Sequence, residues 1–230
     1  MIVPDIGVGV AYLPRNAPGV LVEDDWDAFG QRATKSGTAR FDGVEVDTEY
    51  LVFRGGQGPQ LLAAAQAAGN QLLMAALELG AAEGILDRLK DFDATLPRFL
   101  NSWSVKVATA AASFGTAGRL VTAAVQEGSE GSDQTVSRVV RAHAAVNLAK
   151  AATYQLSTSI AEEYLAGGFA DLDEPAVDRL WRNARVHTLH DSVTQRIRDV
   201  GALVLSGEFT TAGGQLQEIS GFGESIELGV

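Results

Sequence analysis

Residues 60–89 read QLLAAAQAAGNQLLMAALELGAAEGILDRL. Leu61, Leu62, Ala65, Leu72, Leu73, Leu77 and Leu79 recur at helical spacing, and no proline interrupts them. The run is far longer than any ordinary strand. Leucine and alanine lose little freedom in a helix, and alanine lets neighbouring helices approach closely. A helix with such a stripe must bury it against other helices. The stretch therefore points to a mainly α protein built round a helical bundle.

Three further helices are predicted downstream. One starts at Asn101, a good N-cap, and runs to about Gln126. The Gly- and Ser-rich segment from Glu127 to Asp133 breaks it. Another runs from Asp133 to Leu165, with a stripe of Val136, Val139, Val140, Val146, Leu148 and Ile160, and stops at Gly167-Gly168. The last opens on Asp173-Glu174-Pro175, an acidic start with proline near the first turn, and continues to about Leu205 with Gly201 as a weak point. Four long helices on short connections predict an antiparallel four-helix bundle. The alanine-rich run from Val107 to Ala112 reads as packing surface. The Gly- and Thr-rich tail after Ser206 is expected to be mobile.

Upstream the texture changes. Val8, Val10 and Tyr12 alternate with smaller residues, Val20 and Val22 follow the Pro18-Gly19 turn, and Phe41, Val44 and Val46 follow a third punctuation point. These predict short antiparallel strands, with Asp42-Gly43 as a tight turn and Gly55 to Pro59 as a linker. The expected division is a partial antiparallel β-domain over 1–56, a helical domain over 57–205 and a tail over 206–230.

Composition removes several function classes. Eighteen basic residues face 29 acidic ones, so the net charge of −11 repels nucleic acid and anionic membranes. There is no cysteine, which excludes disulfides, thiolate catalysis and Cys-ligated zinc. The opening MIVPDIGVGVAYLP has no basic region and is broken by Pro4 and Pro14, unlike a signal peptide. No apolar run reaches membrane-spanning length. A cytoplasmic protein is expected.

Two segments carry chemistry. In Trp181-Arg182-Asn183-Ala184-Arg185-Val186-His187-Thr188-Leu189-His190-Asp191, two of the three histidines sit three apart, on neighbouring positions of one helix face. Arg182, Arg185, Arg196 and Arg198 make this region basic within an acidic chain. Imidazoles among arginines suit an anionic ligand or developing negative charge. The same residues also suit ion pairs with neighbouring helices. A His-x-x-His metal site lacks further ligands, His143 being the only other histidine, so no metal is expected. In the second segment, Asp24 to Gly37, Trp26 serves as a core anchor or a pocket wall. Arg32, Thr34 and Ser36 offer donors for a phosphate or a ring edge, or are the normal surface of a solvated hairpin.

Asp25-Trp26, Gly30, Arg32, Thr34, Ser36-Gly37, Phe41, Val44 and Val46 resemble the second half of the β-domain of acyl-CoA dehydrogenase-like flavoproteins. Trp181-Arg182-Asn183, Arg185, His187 and His190-Asp191, after Gly167-Gly168, are similar to the last bundle helices of that family's flavin-dependent monooxygenase branch, the dibenzothiophene monooxygenase type. The resemblance covers nearly the whole chain, as the C-terminal part of that fold. It implies reduced FMN supplied by a flavin reductase (FAD is the alternative), a flavin C4a-hydroperoxide and oxygenation of a small organic substrate. It implies that His190 lies against the flavin and stabilises the peroxide, with His187 in support. It sets Trp26 beside the isoalloxazine and makes Arg32, Ser36 and Arg182 further cofactor contacts. Asp191 aligns with the catalytic Glu of the true dehydrogenases. It is one methylene shorter, which favours oxygenation over acyl-CoA dehydrogenation with FAD.

The family also implies assembly as a homo-oligomer through the bundle. Its Arg-rich stretch, which contacts flavin phosphates across subunits, corresponds here to Lys90 to Leu100, with Arg98 as the one arginine. The N-terminal half of the family fold is missing, which leaves an unpaired strand edge and an uncovered apolar face. A second copy or a separate N-terminal chain is the expected partner. The alternative is a non-catalytic remnant or assembly subunit.

Overall fold

Helix α1 (Gln57–Lys90) opens on Gly58 and Pro59, α2 (Pro97–Glu127) opens on Pro97, and α3 spans Asp133–Ala166. Proline is tolerated in a first turn, where the backbone N–H groups have no helical partner. Thus the expected linker at Gly58-Pro59 is already helix, and α2 begins at Pro97 rather than Asn101. The Ser132 hydroxyl accepts the Thr135 N–H at 3.2 Å and caps α3. The region of the fourth expected helix is described as α4 (Ala170–His190) and α5 (Val193–Ser206). Residues 191–192 lie outside the described residues, and Gly201, the expected weak point, lies inside α5. Pro175 falls inside α4 close to its start, where it removes one hydrogen bond without dividing the helix. The computed structural model describes residues 2–3, 7–54, 57–90, 97–128, 132–166, 170–190 and 193–206. The tail after Ser206 lies outside them.

The strands form two small antiparallel sheets. One has the order β1 (Ile2–Val3), β2 (Gly7–Ala11), β5 (Leu51–Arg54), with Val8 opposite Arg54 and Val10 opposite Val52. The other pairs β3 (Val20–Val22) with β4 (Ala39–Phe41), Val20 opposite Phe41. Gly19, at φ +82°, turns the chain into β3. Val44 and Val46, expected in a strand, lie in irregular chain, and Asp42-Gly43 bends it after β4 rather than closing a hairpin. The third strand of the larger sheet comes later, after a short 3₁₀ turn at Thr48–Tyr50. Val10, Tyr12, Leu21, Phe41 and Val52 are exposed on this part of the chain.

In the bundle, α3 packs against each of the other four helices. Its core has two apolar clusters. The first gathers Leu61, Ala65, Ala68, Ala117, Val121, Val139 and Val146, and the second gathers Ile85, Leu89, Trp103, Leu156, Ile160 and Tyr164. The first cluster is mostly alanine and valine, and the second draws on larger residues such as Trp103 and Tyr164.

Between the clusters runs a buried polar layer. Thr153 donates to the fully buried Glu78 carboxylate at 2.8 Å, and Lys150 donates to Gln71 Oε1 at 2.5 Å. Arg196 of α5 reaches the buried Asn147 Oδ1 at 2.6 Å. Buried charges persist only when they are hydrogen-bonded, so this layer fixes the register of α1, α3 and α5. Among the described residues no helix is long and apolar enough to cross a membrane.

Ile85 is 0% exposed and Leu73 on the same helix is 65% exposed. Ile85→Ala is expected to cost about 2–5 kcal/mol in urea unfolding, and Leu73→Ala less than about 0.5 kcal/mol.

Candidate functional site

The long connection between β3 and β4 is a folded loop. The Glu23 N–H bonds the Thr38 carbonyl at 2.9 Å. The Asp25 carboxylate accepts the Thr38 N–H at 2.7 Å and its hydroxyl at 2.6 Å. These bonds, the hydroxyl's first, hold the Asp25 carboxyl below its ordinary range. At the tip, Gln31 and Lys35 take left-handed backbone conformations with φ of 52° and 47°. Such a conformation costs a non-glycine residue about 1–2 kcal/mol, so it persists only where other contacts impose it. Those contacts are present at Gln31. Its carbonyl accepts Trp26 Nε1 at 3.0 Å, the Thr34 N–H at 3.1 Å and the Thr34 hydroxyl at 2.8 Å. Its own N–H donates to Asn183 Oδ1 of α4 at 2.8 Å.

That last bond is part of a dock. Gly30 is buried against α4, and a Cβ there would overlap the Arg182 carbonyl. Phe29 meets the Trp181 ring edge-on, with centroids 5.6 Å apart. The Arg182 guanidinium lies over Phe29 at 4.6 Å and bonds Asp178 at 2.7 Å. Loop and helix enclose a cavity of about 290 Å³ lined by Phe29, Arg32, Ala33, Asp178, Arg179 and Arg182 among others.

The two segments singled out in the sequence thus meet in space. Trp26 is half-buried, with its N–H spent inside the loop. Arg32 is 74% exposed and loosely paired with Asp27 at 3.6 Å. Ser36 is exposed and donates to Thr34 Oγ1 at 3.0 Å. Arg182 stands at the dock, not with Ser36. The side chains of His187, His190 and Arg98, and Asp191 altogether, lie outside the described residues. Among the described residues no group of three or more His, Asp or Glu could hold a metal ion. His143 is half-buried in α3 and its Nε2 faces the Ala64 carbonyl of α1 at 3.0 Å.

Sequence reasoning passed over Phe29 and Gln31, because nothing in a loop's composition shows which residue meets a distant helix. It also passed over Glu78, Lys150 and Thr153. Their signal was legible: Glu78 falls in step with Leu61, Ala65, Ala68, Leu72 and Ala75 on a stripe that is otherwise apolar.

Residues 72–195 match the family model "Acyl-CoA dehydrogenase, C-terminal domain". The dibenzothiophene monooxygenase of Mycolicibacterium goodii is 27% identical over 88% of the chain and 54% of its own length. A probable FMNH2-dependent monooxygenase of Pseudomonas putida is 27% identical over 86% of the chain and 54% of its own length. Among solved structures, an FMN-bound monooxygenase of the same dibenzothiophene type from Paenibacillus sp. A11-2 superposes with a TM-score of 0.72, at 28% identity over 87% of this chain and 56% of that one. The chain spans about half the length of the curated relatives it matches.

Gly30→Ala is expected to lift the loop off α4. Trp26 and Trp181 emission then shifts toward that of solvated indole and proteolysis within 24–37 quickens, while helix unfolding stays within about 1 kcal/mol of wild type. A second expectation concerns pH. Burial, chiefly, and the charge of Arg196 lower the His143 pKa from its ordinary 6.5, against the bond to Ala64. The folded state thus favours the neutral ring. Its stabilising contribution is full above pH about 6.5 and is lost as pH falls below that value toward the folded pKa. Unfolding free energies measured from pH 7.5 to 5 are expected to fall less steeply in His143→Gln than in wild type.

Proposed function

Since the chain belongs to the acyl-CoA dehydrogenase family by its C-terminal domain, we propose that it is one part of a reduced-flavin-dependent monooxygenase acting on a small organic substrate. The observation that carries this reading is the dock of the Trp26 loop on α4, the helix whose backbone ends at His190. Two segments far apart in sequence are held together, and the loop side of the contact takes no part in either apolar cluster. That is the arrangement expected of two walls of one site.

The donor set fits a flavin. The Trp26 N–H is already bonded, so the indole offers a flat apolar wall for an isoalloxazine. Arg32 and Ser36 are exposed and suit the polar edge of the ring or its phosphate. Arg182 is committed to Asp178 and Phe29, and acts by positioning the loop. His190 supplies a donor to negative charge developing at the reacting atoms, His187 supports it, and Asp191 holds a proton nearby. Reduced FMN, once bound, supplies the electrons that activate oxygen. The chain's residues bind and orient it and exclude water, and FAD is the alternative occupant.

A flavin reductase is the electron-supplying partner. A separate N-terminal chain would cover Val10, Tyr12, Phe41 and Val52, and copies of the chain would pair through the bundle in the cytoplasm. Domain boundaries at 56 and 205 belong to the same reading, supported by the start of α1 at Gln57 and the end of α5 at Ser206.

Anaerobic calorimetry with reduced FMN and then FAD, on wild type and His190→Ala, tests the reading. Saturable binding of reduced FMN, weakened about tenfold or more in the variant, is expected. Absence of heat at every flavin concentration would instead support an assembly subunit without a flavin site of its own.

A further inference from the structure

The cavity between the loop and α4 has a charge pattern that the flavin wall does not explain. Its charged lining is Arg32, Arg179 and Arg182 with Asp178, three guanidinium groups against one carboxylate, in a chain of net charge −11. Asp178 is already bonded to Arg182 at 2.7 Å. Asp27, outside the lining, pairs loosely with Arg32 at 3.6 Å, both side chains washed by solvent. The exposed Arg179 side chain makes no hydrogen bond or ion pair among the described residues. Like charges gathered in one concave space repel one another, and an anion placed among them relieves the repulsion.

The walls are also preset. Gly30 is seated against the Arg182 carbonyl, Gln31 is tied to Asn183, and Arg182 is held by Asp178 and Phe29. A ligand therefore meets a preset wall, and the exposed Arg32 and Arg179 side chains are what it has to order. Planar guanidinium forks match the oxygens of a tetrahedral oxyanion. Phe29 and Ala33 add an apolar wall beside them. The cavity, about 290 Å³, is of small-molecule size, and the chain's overall charge opposes nucleic acid.

We propose that this cavity binds the oxyanion headgroup, phosphate or sulfonate, of a small molecule, with Arg179 and Arg32 as its direct ligands and Arg182 at its wall. Trp26 is not part of the lining, so the site stands whether or not a flavin lies against that indole. Its occupant is either the phosphate of the flavin or a separate anion such as a charged substrate.

Inorganic phosphate is titrated at low ionic strength against the full chain by calorimetry, with chloride-matched buffer in the reference. Wild type, Arg179→Gln, Asp178→Asn and Arg119→Gln are compared, after unfolding curves establish that each is folded. Saturable phosphate binding is expected, weakened about fivefold or more by Arg179→Gln and unchanged by Arg119→Gln on the distant α2. Asp178→Asn removes the one lining carboxylate and is expected to tighten it. Phosphate binding that is non-saturable, or equal in wild type and Arg179→Gln, would overturn the site. Competition by FMN but not riboflavin supports the site and identifies the flavin phosphate as its occupant. Phosphate binding that neither flavin displaces supports it as the seat of a separate anion.

Discussion

Gly30 has no room for a side chain, and the site is arranged round that fact. Its backbone lies against the carbonyl of Arg182, one residue from where the Gln31 N–H finds Asn183. A close backbone approach of this kind converts a solvated loop into a wall of fixed position. Gln31 then adopts a left-handed conformation that a free loop would relax, and the hydrogen bonds to its carbonyl from Trp26 and Thr34 fix the indole relative to α4. The strain at Gln31, the position of Trp26 and the cavity beneath Phe29 are consequences of one contact.

The helix that receives the loop is held in turn by the bundle. Trp181 and Val177 of α4 pack on the cluster of Ile160 and Tyr164. α5 is anchored to α3 by the bond from Arg196 to the buried Asn147. The polar layer of Gln71, Glu78, Lys150 and Thr153 adds specificity rather than raw stability, because burying charge offsets much of what the hydrogen bonds contribute. Two apolar clusters on either side supply the stabilising area. A scaffold of this kind suits a site assembled from residues on separate elements.

The sequence is most legible where its periodicity is long. The stripe from Leu61 to Leu89 announces α1, and the valines from Val136 to Val146 announce α3, because burial repeats every three or four residues over many turns. Legibility falls at boundaries. Pro59 reads as part of a linker and Asn101 as a helix start, yet first turns accept proline and the helices open at Gln57 and Pro97. Gly201 reads as a weak point inside a helix that its packing on α3 sustains. Val44 and Val46 carry strand propensity without a neighbour to pair with. At the site, residue type pointed to Trp26 and Arg182. Only the fold reveals that the Arg182 guanidinium is bound to Asp178 and Phe29, and that Gln31 and Asn183 join the two segments.

The dock is tested most directly by amide hydrogen exchange at Gln31 under native conditions, in wild type and in Asn183→Ala. If the loop is fixed to α4 through Asn183, the Gln31 amide is protected well above the unstructured-peptide rate in wild type, and the protection disappears in the variant. Exchange at the unstructured rate in wild type, or protection that survives Asn183→Ala, would contradict it.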